Sequence, residues 1–172
     1  MNLCDNETTT TKETTMSKIL KPGEKIDDFA VPDQSGTTRR LSELLGNGPV
    51  VLFFYPKAMT SGCTAEGCHF RDMAAEFEEA GAQRVGISMD DTDKQKDFAA
   101  QNEFDYPLLS DTDGTVADQF GVRRRLKLGP LSVKRVTFVI GTDRTLLHSI
   151  HSETNMTNHA DEALKVILNQ GD

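Results

Sequence analysis

The 172-residue chain has no tryptophan, only three cysteines and a shortage of positive charge. Each lack excludes something. Three cysteines cannot make the disulfide framework of a small secreted domain. The longest apolar run, VVLFFY, falls far short of the ~20 residues that a membrane-spanning helix needs. The 19 Lys and Arg against 27 Asp and Glu leave a formal net charge of -8, which argues against broad binding to nucleic acid or anionic membranes. The opening residues, MNLCDNETTTTKETTMSKIL, lack the apolar core of a secretory signal. A leaderless chain with few cysteines is expected in the reducing cytoplasm, with its thiols free.

What is present suits a globular protein. Hydrophobic residues make up 37% of the chain, enough for one domain of this length to bury a core. The Thr-rich stretch 1–17 has no hydrophobic periodicity and reads as a disordered tail, with Cys4 an exposed thiol lacking a fixed partner. Residues 18–172 are expected to form the folded domain. DQSGT sits between short extended runs and suggests a small N-terminal β-hairpin, and LSELL a short helix ending at Gly46. VVLFFY is the pattern of a central strand covered on both faces. A helix is predicted from about Cys63 to Ala80, then strand RVGISM, helix DTDKQKDFAAQNE, strand YPLLSD and helix GTVADQFG. VTFVIG and LLHSIH flank a turn as an antiparallel hairpin, and TNHADEALKVILNQ is amphipathic, with Ala163, Val166 and Ile167 on one side. The order predicts an α/β sandwich with a mixed sheet. RRRLKLGPLSVKR interrupts it as a basic, mostly solvated loop.

The chemistry concentrates in YPKAMTSGCTAEGC, Tyr55 to Cys68, where a strand gives way to a helix. A helix N-terminus offers free N–H groups and the positive end of the macrodipole, so Cys63 at that point has its thiolate favoured. Gly62 leaves room beside the sulfur. The Thr60 hydroxyl can donate and accept hydrogen bonds next to it, and Pro56 closes the strand. From spacing alone, Thr60 and Pro56 serve equally well as loop punctuation and helix cap.

PKAMTSGC contains the P-x-x-x-T-x-x-C signature of peroxiredoxins, and GCTAEGCHFRD is similar to the active-site helix of their bacterioferritin comigratory protein, or PrxQ-type, branch. The likeness runs from about Lys21 to Gln170, through VGISMD, FDYPLLSDTDG and VKRVTFVI. The resemblance implies a thioredoxin-like fold and a thiol peroxidase acting on hydrogen peroxide and alkyl hydroperoxides. It implies Cys63 as the peroxidatic cysteine, Thr60, Pro56 and Arg135 as its companions, and Cys68 as the resolving cysteine. Glu66 matches the family's glutamate in the same turn. A monomer is implied, recycled by thioredoxin or a mycoredoxin- or glutaredoxin-like reductant. Ser61 stands where most relatives have Pro, Ala58 where many have Asp, and Gly141 replaces a common Asp; none removes a reacting group.

A free thiol is only a few per cent ionised at neutral pH, so a helix N-terminus and Arg135 acting together matter to peroxide reduction. The product, a sulfenic acid, can be captured by a second thiol. On an intact helix, residues five apart have Cα atoms roughly 8 to 9 Å from each other, beyond the ~7 Å reach of a disulfide. A Cys63–Cys68 bond therefore requires the first turns to unwind. Two rival readings are weaker. Cys63, Cys68 and His69 fall short of the four ligands and C-x2-C spacing usual for zinc, so no metal is expected. A thioredoxin-like disulfide reductase or redox sensor would be expected to carry C-x-x-C, which is missing. The four histidines, His69, His148, His151 and His159, form no spacing that suggests a base or ligand set. Without a G-x-G-x-x-G or P-loop, no cofactor is expected. Leu126, Leu128 and Leu131 are candidates to shape an apolar approach for larger peroxides.

Overall fold

A computed structural model describes residues 18–124 and 132–170. The expected tail, Cys4, Leu126, Leu128 and Leu131 lie outside them. In chain order the first elements are β1 (Ala30–Pro32), β2 (Thr38–Arg40), α1 (Leu41–Leu44), a short 3-10 turn, and β3 (Val50–Phe54). There follow α2 (Ser61–Asp72), α3 (Ala74–Glu79), β4 (Gln83–Ser88), α4 (Thr92–Asn102), β5 (Leu108–Ser110) and α5 (Thr115–Phe120). The chain closes with β6 (Val136–Ile140), β7 (Leu146–His151) and α6 (Met156–Gln170).

β3 is an unbroken apolar run because it lies at the centre of a five-stranded sheet, in the order β5-β4-β3-β6-β7. β4 runs parallel to β3, and β6 antiparallel to it on the other side. Alternate side chains of a strand point to opposite faces. Val50, Leu52 and Phe54 enter one core with Ile26, Phe29, Leu41, Val116 and Phe120. Val51 and Phe53 enter the other, with Phe70, Phe77, Phe98, Ala163 and Ile167. β1 and β2 form the separate antiparallel hairpin. This is a thioredoxin-like α/β fold, a mixed sheet flanked by helices. No helix among the described residues is long and apolar enough to cross a membrane.

Two local expectations change. The helix predicted from Cys63 to Ala80 starts at Ser61 and is broken at Met73, whose backbone leaves the helical region (φ -95, ψ 19). Neither Gly nor Pro signals that break. It re-aims α3 so that Phe77 packs near Phe70, a tertiary demand that overrides local propensity. The basic segment has a paired stem: the Arg124 N–H donates to the Ser132 carbonyl at 2.9 Å and the Lys134 N–H to Val122 at 2.8 Å.

Candidate active site

The site lies where β3 ends, the place where α/β sheets present their carboxyl-end crevice. The Tyr55 N–H still pairs with the Ile87 carbonyl at 3.1 Å, and the chain then turns through Pro56 to Thr60 into α2. That loop is held from several sides. The Asp90 carboxylate accepts from the Ala58 N–H and the Ser88 hydroxyl, both at 2.7 Å. The Ser132 hydroxyl donates to the Pro56 carbonyl at 3.1 Å. Below, the Tyr55 hydroxyl donates to Gln95, whose amide donates to Ser88 at 2.9 Å, so a buried polar chain ties loop to sheet. Met59 carries a left-handed backbone (φ 70). Such a conformation in a residue with a side chain persists only where its surroundings impose it.

Thr60 is the residue preceding α2, and its hydroxyl donates to the Lys57 carbonyl at 2.9 Å rather than capping the helix. Its carbonyl accepts from the Thr64 N–H at 2.9 Å and the Thr64 hydroxyl at 2.7 Å. Cys63, third in the helix, is 1% exposed. Arg135 Nη2 donates to its sulfur at 3.4 Å, and Arg135 Nη1 donates to Glu66 Oε2. The strand register explains the reach. Val136 pairs with Phe54, so Arg135, one residue earlier, stands level with the turn into α2. Gly62 makes the approach feasible, since a Cβ there would lie 3.2 Å from Arg135 Nη2 and 3.1 Å from Met156 Cε.

Electrostatics follow from burial. Loss of solvent pushes the Glu66 carboxyl up to about 7 although Arg135 opposes it. Burial works against the Arg135 charge, yet Glu66 and then Cys63 beside it raise its pKa. Cys68 is half-buried, and its sulfur lies 3.9 Å from Asn102 Oδ1. Cys63 and Cys68 are free thiols. Next to Cys68, the Gly67 carbonyl accepts from the Tyr106 hydroxyl at 2.7 Å.

Of the residues singled out from sequence, Cys63 and Arg135 are in contact, with Thr60 and buried Pro56 on the loop leading into them. Cys68 stays further along the same helix. Sequence reasoning missed Asp90, which holds the loop, Met156, which covers Gly62, and His159, which is fully buried 3.8 Å from Glu66. None had a readable signal, because they reach the site from parts of the chain distant from α2, Asp90 just after β4 and Met156 and His159 on α6.

A thiol at the first turn of a helix, in a thioredoxin-like fold and under a buried arginine, marks a class of thiol-based oxidoreductases. The chain matches the AhpC/TSA family from residue 22 to residue 149 and belongs to it. It is 59% identical to the peroxidoxin BcpB of Mycobacterium tuberculosis, whose crystal structure superposes with a TM-score of 0.83 over 87% of this chain and 97% of that one. Peroxiredoxin Bcp of Escherichia coli is 36% identical over 148 residues, 84% of this chain and 94% of the relative. A mutant PrxQ of Xylella fastidiosa, 26% identical, superposes with a TM-score of 0.82 over 90% of this chain and 99% of that one. The protein is thus a peroxidase of the peroxiredoxin superfamily, close to the Bcp and PrxQ members.

Proposed function

We propose that the protein reduces hydrogen peroxide and organic hydroperoxides at Cys63, resolves the product with Cys68, and is recycled by thioredoxin or a mycoredoxin- or glutaredoxin-like protein. The observation that carries this reading is the Arg135 guanidinium 3.4 Å from a buried sulfur in the first turn of α2. A fixed cation and the helix N-terminus both favour the thiolate that attacks. The Thr60 proton is committed to Lys57, which leaves the hydroxyl oxygen to accept from the O–H of the peroxide. Sulfur takes the terminal oxygen and gives up two electrons, the O–O bond breaks, and the leaving oxygen takes a proton to become water or an alcohol. Arg135 and the N–H groups of the first turn supply donors where that negative charge develops.

The Cys63 sulfenic acid is then attacked by the Cys68 sulfur, releasing water and forming the disulfide. Helix geometry requires Cys63 to leave its place for this. Phe70, stacked on Phe53 with ring centroids 4.1 Å apart, anchors the far half of α2 while the near half unwinds. Three cysteines in a chain of 172 residues, too few for a secreted disulfide framework, favour a reducing compartment, the cytoplasm. Among the described residues, Met59 and Leu168 are the exposed large hydrophobic side chains, which favours a monomer.

The test is peroxide consumption with purified reductants, comparing wild type, Cys63→Ser and Cys68→Ser. Cys63→Ser is expected to lose turnover, and Cys68→Ser to stall after one equivalent with Cys63 as the sulfenic acid, trapped and read by mass spectrometry. Amide exchange across residues 61–68 is expected to accelerate in the disulfide form. Full peroxide consumption by Cys63→Ser, or an unchanged helix in a confirmed Cys63–Cys68 disulfide, contradicts the reading.

A further inference from the structure

The site holds a second buried acid that the chemistry above leaves idle. Glu66 lies one turn beyond Cys63 on the same face of α2 and is fully buried. Arg135 occupies one carboxylate oxygen; the other, Oε1, has no hydrogen-bond partner among the described residues and faces His159 Nδ1 at 3.8 Å.

The tautomer of His159 follows from its neighbours. Its Nε2 lies 2.8 Å from the Ser152 carbonyl, which only accepts, so Nε2 carries the hydrogen. Burial, with Arg135 adding to it, lowers the imidazole pKa against the pull of that carbonyl, and the ring is neutral. Nδ1 therefore holds a lone pair, which accepts from the Thr137 hydroxyl at 2.8 Å. Toward the free oxygen of Glu66 the ring offers no donor, since its one lone pair is engaged by Thr137 and its one N–H by Ser152. A carboxylate is disfavoured in that setting and a protonated carboxyl is favoured.

The surrounding charges do not relieve this. Glu153, which follows β7, accepts from Arg124 Nη2 at 2.8 Å and adds negative potential at Glu66. His151 on β7 is 3.5 Å from the same Glu153 oxygen. Tyr106 directs its hydroxyl to Gly67 and Tyr55 directs its own to Gln95. Among the described residues Arg135 alone faces both Cys63 and Glu66, and one guanidinium balances one anion.

We propose that Cys63 and Glu66 share one proton across Arg135, and that His159, held as the Nε2–H tautomer, is the positioning residue that puts this proton on Glu66 when Cys63 ionises. The proposal rests on Cys63 being the attacking sulfur. When the thiol S–H bond breaks, a carboxyl O–H forms on Glu66 by exchange with solvent, and the whole guanidinium charge serves the thiolate. After oxygen transfer the sulfenic acid is neutral and Arg135 returns to Glu66. Glu66 then releases its proton, which balances the one that the leaving oxygen takes up. The cluster ends the step with no net gain or loss of protons.

The experiment uses the full chain carrying Cys4→Ser and Cys68→Ser, so that Cys63 is the only thiol. Thiolate absorbance is followed against pH, with infrared detection of the protonated carboxyl band. Glu66→Gln keeps the shape and neutrality of the protonated carboxyl and is expected to leave thiolate formation at the pH of the parent, because Glu66 carries no charge in the thiolate state that the substitution could remove. His159→Gln can turn an amide N–H toward Oε1, keeps Glu66 charged, and is expected to move thiolate formation to higher pH by about one pH unit, a tenfold change in ionisation. Adding Glu66→Gln to His159→Gln is expected to restore the parent's value, which general loosening of the site cannot do. In the parent, the carboxyl band is expected to persist as the thiolate appears and to be missing in Glu66→Gln. That measurement needs no folded His159 variant. Thiolate formation at clearly lower pH in Glu66→Gln, or a carboxyl band that vanishes before the thiol ionises, overturns the proposal. Activity in Cys63→Ser would instead overturn the reading of Cys63 itself.

Discussion

Replacing Gly67 with alanine places a methyl carbon 2.5 Å from Phe104 Cζ and 3.0 to 3.2 Å from the neighbouring ring atoms. The ring has little room to retreat, because it packs edge-on against Phe98 with centroids 5.0 Å apart and stacks on Tyr106 at 5.3 Å. Overpacking of this kind costs about 1 to 3 kcal/mol. Displacing Tyr106 also weakens its bond to the Gly67 carbonyl, about 1 kcal/mol more. Alanine gains about 1 kcal/mol over glycine in helix propensity, so the clash wins and Gly67→Ala is expected to destabilise by about 1 to 3 kcal/mol in urea unfolding. In a Phe104→Leu background the obstructing ring atoms are gone and the sign reverses. The same substitution should then stabilise α2 by about 1 kcal/mol and lower its unwound population about fivefold. If unwinding gates resolution, disulfide formation after a peroxide pulse should slow by a similar factor, read by rapid quench and mass spectrometry, with more overoxidised Cys63. Equal effects of Gly67→Ala in both backgrounds would refute the packing argument. Unchanged resolution in a stiffened helix would refute the gating.

Arg135→Lys keeps the charge but not the fork that reaches Cys63 and Glu66 together, so kcat/KM for hydrogen peroxide is expected to fall by about 100-fold or more, with the fold intact by circular dichroism. An activity within a few-fold of wild type would argue against the bidentate role. Glu66 also makes stability depend on pH. Its pKa in the folded protein is raised, to about 7 from 4.5, so its contribution is full below about pH 4.5 and is lost as the pH climbs through about 7. The swing is about 3 kcal/mol, and Glu66→Gln should gain on wild type by that order between pH 5 and 8 in urea unfolding. A difference that stays flat with pH would show that the carboxyl is solvated.

Much of the fold can be read locally because single elements announce themselves. VVLFF has no polar side because both of its faces are covered, and Asp91 caps α4 by accepting the Lys94 N–H at 2.8 Å, as an acidic start to that helix suggests. The Cys63–Cys68 spacing is a local fact as well, and helix geometry turns it into a requirement for unwinding without any coordinates. The break at Met73 is not local, since it answers to where Phe77 must pack.

The active-site electrostatics belong to the tertiary structure. Arg135 lies 72 residues from Cys63, and resemblance to a family, not any local pattern, drew attention to it. His159 has no signal at all, because a histidine in an amphipathic helix reads as surface until the helix is docked. What the sequence alone determined was which elements form and where a thiol enters a helix, since apolar periodicity and helix-end chemistry act over a few residues. Which charges surround that thiol was decided only when β6 paired with β3 and α6 packed on α2. Burial and ångström-scale proximity set the energies of charged groups, and both depend on parts of the chain that are far apart in sequence.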